Sequence, residues 1–392
     1  MKSHERNLLV LACCQALYMT SNTLVISTSA LVGIALAPVP SMATLPLGLQ
    51  FLASMAIALP ASLLMRRFGR RAGFRLGAAA GLAAGALCVL AIWYELFWLM
   101  CVSGLLYGLA SGTGSFYRFA AADSVAPERK ARAISLVLAG GLVAAFIGPS
   151  LAEFSRDWLW PAVFAGTYAC LVVLQLIAFI LLGLVDIAPL SASERRGPTR
   201  PLAVIASQPR FFVASFGAMS GYAAMNLLMT STPLAMQVCG HAFSSTATVI
   251  QWHVVGMFAP SFFTGSLIRR FGVLRMMQWG AVLTLLCVGV NLAGTTVVHF
   301  WLALALLGLG WNFLYIGATA LLTESYTPAE QAKAQGLNDF LVFATVAMTA
   351  FTSGYLHHAV GWTMLNLGVV PVIVAAAAGT VWLARGPRTQ TA

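Results

Sequence analysis

Along this chain, long apolar stretches alternate with short polar turns. About twelve of the stretches approach or exceed the roughly twenty residues a helix needs to cross about 30 Å of hydrocarbon. They fall at 8–36, 44–65, 74–94, 96–121, 132–154, 158–185, 211–237, 243–266, 274–294, 298–322, 334–356 and 361–384. The longest polar interval opens at Asp186 and runs through Ser191, Ser193, Glu194, Arg195 and Arg196. It predicts an N-terminal six-helix half (1–185), a linker (186–210) and a C-terminal six-helix half (211–392).

The halves repeat one another. Arg66-Arg67-Phe68-Gly69 returns as Arg269-Arg270-Phe271-Gly272. Pro127 with Ala131-Arg132-Ala133 returns as Pro328 with Ala332-Lys333-Ala334. Parallel repeats of six helices are a signature of membrane transporters.

Composition agrees with the pattern: 60% of residues are hydrophobic and 8% are charged, against about 25% charged in soluble domains. The net charge of +11 does not call for nucleic acid. With the N-terminus placed in the cytoplasm, every Lys and Arg except Arg156 falls on the cytoplasmic side. Lys2, Arg6, the Arg66–Arg75 cluster, Arg129–Arg132, Arg195–Arg210, Arg269–Arg275, Lys333, Arg385 and Arg388 make up the bias, with Arg118 near the inner end of the fourth segment. The positive-inside rule accounts for it and puts both termini in the cytoplasm. Val10-Leu11-Ala12-Cys13 imitates a lipoprotein cleavage box, but the apolar run before it is shorter than a signal core, so an uncleaved first helix is expected. The seven cysteines form no C-x-x-C pair, which leaves zinc-knuckle and thioredoxin chemistry unsupported. Neither a nucleotide-binding G-x-x-x-x-G-K-[ST] loop nor an H-E-x-x-H helix occurs; no enzyme and no resident cofactor is expected.

Two helical pairs carry candidate chemistry. Met225 and Met229 share a face of the seventh segment, and His253 and Met257 share a face of the eighth, since i and i+4 are neighbours on a helix. At 1.5 Å rise per residue, all four sit roughly 12–21 Å below the outer surface, near the bilayer middle. Thioethers are soft ligands that favour Cu(I), and an ionisable residue inside a membrane is a functional hypothesis by default. Each pair alone is a chance-level motif, at roughly 0.6 and 0.2 expected occurrences. The repeat supplies a control. Tyr222 and Asn226 align with Tyr18 and Asn22, so the partners of Met225 and Met229 are Ser21 and Val25; those of His253 and Met257 are Gln50 and Ser54. The N-terminal half lacks the soft ligands. The competing reading of the methionines is core packing. Cys239 and His241 at the outer mouth, and Cys13 and Cys14 towards the inner end of the first helix, are candidates for an accessory metal relay. His357 and His358 read as surface residues. Asp339 is the deepest carboxylate, expected to pair with Lys333 or a nearby arginine. Tyr222, Trp252, Trp311 and Tyr315 offer an alternative, a stacking site for a flat ring.

The six-plus-six plan, the Arg67-Phe68-Gly69-Arg70-Arg71 turn and Gly148-Pro149 resemble the major facilitator superfamily over the whole chain. The likeness implies an all-α polytopic fold of about twelve transmembrane helices, with the first, fourth, seventh and tenth lining a central cavity. One departure stands out: Arg66 and Arg269 occupy the position where that superfamily's loop motif carries Asp, which puts the loop's charge relay in doubt. The Met-x-x-x-Met and His-x-x-x-Met pairs, with Gln251 and Trp252 beside them, further resemble the CcoA-like copper importers. That resemblance implies Met225, Met229, His253 and Met257 as ligands and copper as cargo, imported across a bacterial inner membrane. It implies a downstream copper chaperone or oxidase assembly factor as partner and supply of copper for haem–copper cytochrome c oxidase. A related branch with a similar eighth helix carries riboflavin, the alternative substrate. A membrane copper sensor that transports nothing is the third reading.

Overall fold

The computed structural model describes residues 3–39, 42–187 and 199–385. Residues 188–198 of the linker and four of the basic residues counted above, Lys2, Arg195, Arg196 and Arg388, lie outside them, as do the side chains of Pro149, His357 and His358. The long elements are all helices: α1 (Ser3–Leu36), α2 (Leu45–Phe68), α3 (Arg70–Trp93), α4 (Phe97–Gly114), α5 (Tyr117–Asp123), α6 (Lys130–Ala139), α7 (Gly141–Ser155) and α8 (Ala165–Leu182). There follow α9 (Leu202–Ala206), α10 (Pro209–Val238), α11 (Phe243–Phe258), α12 (Ser261–Phe271), α13 (Val273–Ala293), α14 (Val297–Leu322) and α15 (Gln331–Arg385). Among the described residues, ten helical runs are long and apolar enough to cross a membrane.

Several predicted spans are interrupted, each for a local reason. The eighth breaks between α11 and α12 at Pro260, whose ring removes a backbone donor and clashes with the preceding turn. The fifth divides into α6 and α7 at Gly140, where a Cβ would meet the Ala12 carbonyl oxygen at 2.5 Å. The sixth starts late because residues 156–164 fold into turns, closed by the Phe164 N–H on the Arg156 carbonyl at 2.7 Å. The last two spans form one helical run that turns at Gly361 (φ 75°, ψ 171°). The sequence repeat is also a backbone repeat: Gly69 (φ 87°, ψ 159°) and Gly272 (φ 88°, ψ 152°) end their helices in the same conformation, a region open essentially to glycine alone.

The chain forms two compact units. One comprises Met1–Pro198 with Pro328–Ala347, the other Thr199–Thr327 with Met348–Ala392. The core of the first is built around Leu24, Cys88, Met100, Tyr107, Tyr168 and Leu171. A core cluster of the second contains Met236, Val249, Phe300 and Leu304. In lipid, burying apolar surface between helices gains little, so close approach of backbones through small residues and interhelical hydrogen bonds must hold them together.

Hydrogen bonds explain why the start of α15 belongs to the first unit. Ser62 Oγ donates to the Ala332 carbonyl at 2.7 Å. The Arg70 guanidinium donates to Asp123 at 2.7 Å and to Gln335 Oε1 at 2.6 Å. Gln331 Nε2 also donates to Asp123, at 2.6 Å. The loop between α2 and α3 therefore keeps an acid partner despite Arg66: the carboxylate comes from the end of α5. Asp339 pairs with Arg118 of α5, not with Lys333.

Candidate solute site

The second unit shows how α10, α11 and α14 meet. Helix α14 packs extensively on both α10 and α11, whereas α10 and α11 touch each other only marginally. Glycines permit the α11–α14 approach: a Cβ on Gly308 would lie 2.4 Å from the His253 carbonyl oxygen and 2.9 Å from the Met257 nitrogen. Polar atoms then fix the register. His253 is fully buried and its Nδ1 lies 2.8 Å from the Leu304 carbonyl oxygen. Asn312, also fully buried, donates to the Met257 carbonyl at 2.6 Å and to Ser261 Oγ at 2.7 Å, and accepts from Thr264 Oγ1 at 2.7 Å.

Four rings from these three helices form one cluster. Trp311 and Tyr315, a turn apart on α14, stack with centroids 4.9 Å apart and planes inclined by 22°. Tyr222 of α10 stands edge-on to both, at 5.3 Å from Trp311 and 4.9 Å from Tyr315. Phe258 of α11 meets Trp311 edge-on at 5.8 Å. Offset and edge-to-face arrangements are the favoured geometries of such pairs. Trp311 and Tyr315 are buried and Tyr222 is half-buried. The Trp311 indole N–H has no hydrogen-bond partner.

The internal repeat shows which parts of this site are scaffold. In the first unit a Cβ on Gly108 would meet the Gln50 carbonyl oxygen at 2.4 Å, the same distance and the same relation as Gly308 to His253. Counting one turn onwards, Trp311 answers to Ser111 and Tyr315 to Ser115. Tyr18, the counterpart of Tyr222, shares a hydrogen bond of 3.2 Å with Ser111 where Tyr222 meets an indole. The frame is common to both units; the rings belong to the second.

The predicted ligands are placed as follows. Met225 and Met257 are buried, Met229 is half-buried, and His253 turns its ring nitrogen to α14. Of the four aromatics read from the sequence, Tyr222, Trp311 and Tyr315 come together. Trp252 is 47% exposed and packs instead against Trp301 at 5.9 Å. Cys239 is exposed at the end of α10, and His241 Nε2 is 2.7 Å from the Thr295 carbonyl oxygen, which ties down the loop. Cys13 is exposed and Cys14 buried, and both are free thiols. Among the described residues no cluster of three or more His, Cys, Asp or Glu side chains is arranged to hold a metal. Sequence reasoning passed over Phe258 and Asn312. A lone Asn in the middle of an apolar span was a readable signal, because polar side chains inside a membrane need partners.

A family model described as the Major Facilitator Superfamily matches residues 11–258 and 239–392. The chain belongs to the Major Facilitator Superfamily. Solved structures of low sequence identity share this fold. The human organic anion transporter MFSD10 (TETRAN) superposes with a TM-score of 0.80 at 12% identity, covering 97% of this chain and 100% of that one. FucP, a superfamily transporter in the outward conformation, gives 0.80 at 14% identity, covering 98% and 100%. Among superfamily relatives, the riboflavin transporter RfnT of Brucella anthropi is 43% identical over 375 residues, 94% of this chain and 93% of that protein. YdeG of Bacillus subtilis, an uncharacterised transporter of the same type, is 30% identical over 359 residues, 85% of this chain and 83% of its own length. Members of this superfamily are transporters, and the chain is not an enzyme.

Proposed function

We propose that this chain carries a flat, fused-ring solute of the riboflavin type across the membrane by alternating access. The observation that carries the reading is the cluster of Trp311, Tyr315 and Tyr222, found in the second unit where the repeat has Ser111, Ser115 and Tyr18. Aromatic faces stack on flat heterocycles at about 1–3 kcal/mol per ring. Tyr222 is the half-buried member, so its displacement opens the stacked pair to a planar solute. The 43% identity to a protein named as a riboflavin transporter supports the same choice. The cytoplasmic bias of the Arg and Lys residues supports an inner-membrane orientation with both ends of the chain inside.

The decisive experiment is uptake of labelled riboflavin into proteoliposomes that contain only this protein. Saturable uptake, lost in Trp311→Ala, is expected; uptake no greater than that of empty vesicles overturns the reading.

A second reading, copper import for oxidase assembly, keeps one observation in its favour. His253 is anchored through one ring nitrogen to a backbone carbonyl while its Nε2 is left open, the arrangement by which metal-binding histidines are held. Met225, Met229 and Met257 would complete the soft ligand set, with a copper chaperone or oxidase assembly factor as the receiving partner. Accumulation of copper by cells expressing the protein, abolished in His253→Ala and Met225→Ala, would select this reading.

A further inference from the structure

The buried side-chain atoms of the second unit without a hydrogen-bond partner include Ser220 Oγ and Ser231 Oγ on α10, Asn291 Oδ1 on α13 and two ring nitrogens, His253 Nε2 on α11 and Trp311 Nε1 on α14. Leaving a buried polar group unpaired costs about 1–3 kcal/mol, so each such group in a native fold calls for a reason.

Chemistry fixes what each atom can do. The Leu304 carbonyl oxygen can only accept, so the His253 nitrogen 2.8 Å away carries the proton. In a neutral imidazole the other nitrogen, Nε2, then presents a lone pair. The indole nitrogen of Trp311 can only donate. Of the two ring nitrogens, His253 therefore offers an unsatisfied acceptor and Trp311 an unsatisfied donor. The contact His253–Leu304 is followed further along both helices by Met257–Asn312, so α11 and α14 run in the same direction. His253 and Phe258 are five residues apart, about 7–8 Å along the axis. The two atoms thus lie at separate levels of the same helix pair. The five-membered ring of the indole lies near Gly221 of α10: a Cβ there would be 4.0 Å from Trp311 Cδ1, the carbon next to that nitrogen.

We infer that His253 Nε2 accepts a hydrogen bond from a ring N–H of the transported solute and that Trp311 Nε1 donates one to a ring carbonyl or ring nitrogen. The substrate class is then fused heterocycles with an imide-type N–H, and stacking alone does not define it. This assignment rests on the reading of the chain as a riboflavin-type carrier and adds the polar selectivity of that site.

The test uses competition against labelled riboflavin in proteoliposomes. In the unaltered protein, methylating the imide nitrogen N3 of riboflavin is expected to weaken competition about tenfold, the worth of one good hydrogen bond and its desolvation. In His253→Phe the methylated and unmethylated compounds should compete equally. In Trp311→Phe, which keeps a ring and removes the donor, riboflavin should bind several-fold more weakly, with the preference against the methyl group unchanged. Equal competition by both compounds in the unaltered protein overturns the inference while the carrier reading stands. An identical preference in His253→Phe overturns the part assigned to histidine. Absence of any riboflavin uptake overturns both. If His253→Phe fails to fold, the comparison of the two compounds in the unaltered protein still decides.

Discussion

Arg118 and Asp339 form an ion pair with side chains only 3% and 1% exposed, between residues 221 positions apart in the chain. Ser115 Oγ donates to the other Asp339 oxygen at 2.7 Å, and Asn338 Nδ2 donates to Oδ1 at 2.9 Å. Arg118 also donates to the Ser115 carbonyl. The carboxylate is thus held from α5, from the end of α4 and from its own helix.

Removing one partner of such a pair strands the other charge in a low-dielectric interior. Asp339→Ala is expected to destabilise the protein by about 3–5 kcal/mol, and replacing both members with apolar residues of similar size should recover most of the loss. Thermal melting of the detergent-solubilised single and double variants measures this. Equal melting temperatures for Asp339→Ala and the unaltered protein would show that the pair does not hold the fold.

Gly308 should tolerate no side chain. A Cβ there meets backbone atoms of His253 and Met257 within 3 Å, and backbone cannot swing aside. Gly308→Ala should cost about 1–3 kcal/mol, as overpacked cores do. Gly289 of α13 has nothing within 4 Å of an added Cβ. Gly289→Ala should be neutral or stabilise by roughly 0.5–1 kcal/mol through helix propensity. The two melting curves should move in opposite directions or differ by several degrees.

Gly221 borders the ring cluster from α10, with an added Cβ 3.3 Å from Leu314 Cβ. Gly221→Val should fill the space beside Trp311. The expected outcome is an apparent KM for riboflavin raised about tenfold, with a stability loss no greater than about 1–3 kcal/mol. Normal uptake kinetics in that variant would place the ring solute elsewhere.

Met225→Leu separates the two cargo readings. Exchange of Met for Leu preserves volume and usually costs under about 1.5 kcal/mol, so folding and riboflavin uptake should persist. A thioether lost from a soft-metal site would instead abolish copper accumulation. Measuring both cargoes in the same cells gives opposite answers under the two readings.

Much of the architecture was readable because each cause is local. Membrane spans follow from runs of apolar residues, and the repeat from Arg-Arg-Phe-Gly, whose glycine adopts the same unusual backbone at Gly69 and Gly272. The interruption at Pro260 was equally local and readable in principle. The partners of Arg70 and Arg118 were not: Gln335 and Asp339 approach them only after α15 has folded back on the first unit. At the site, sequence spacing picked out α10 and α11 and ranked the methionine and histidine pairs above the aromatic residues. Met225 and Met229 were conspicuous because i and i+4 spacing can be counted along one helix. Tyr222, Phe258 and Trp311 sit on three helices, so no spacing announces that their rings meet. Helix α14, which carries Trp311 and Tyr315, is also what lies against both α10 and α11. The sequence reading paired those two helices directly.

Gly108 and Gly308 record a duplication in which the backbone frame was kept and its contents were allowed to diverge. One half carries serines at 111 and 115; the other carries an indole and a phenol at 311 and 315. Descendants of such a duplication can change cargo by rewriting one turn of α14, without disturbing the arginine anchors that hold the other copy. Related chains should therefore differ most in cargo where they differ at 311 and 315, and least where they differ at 70 and 118.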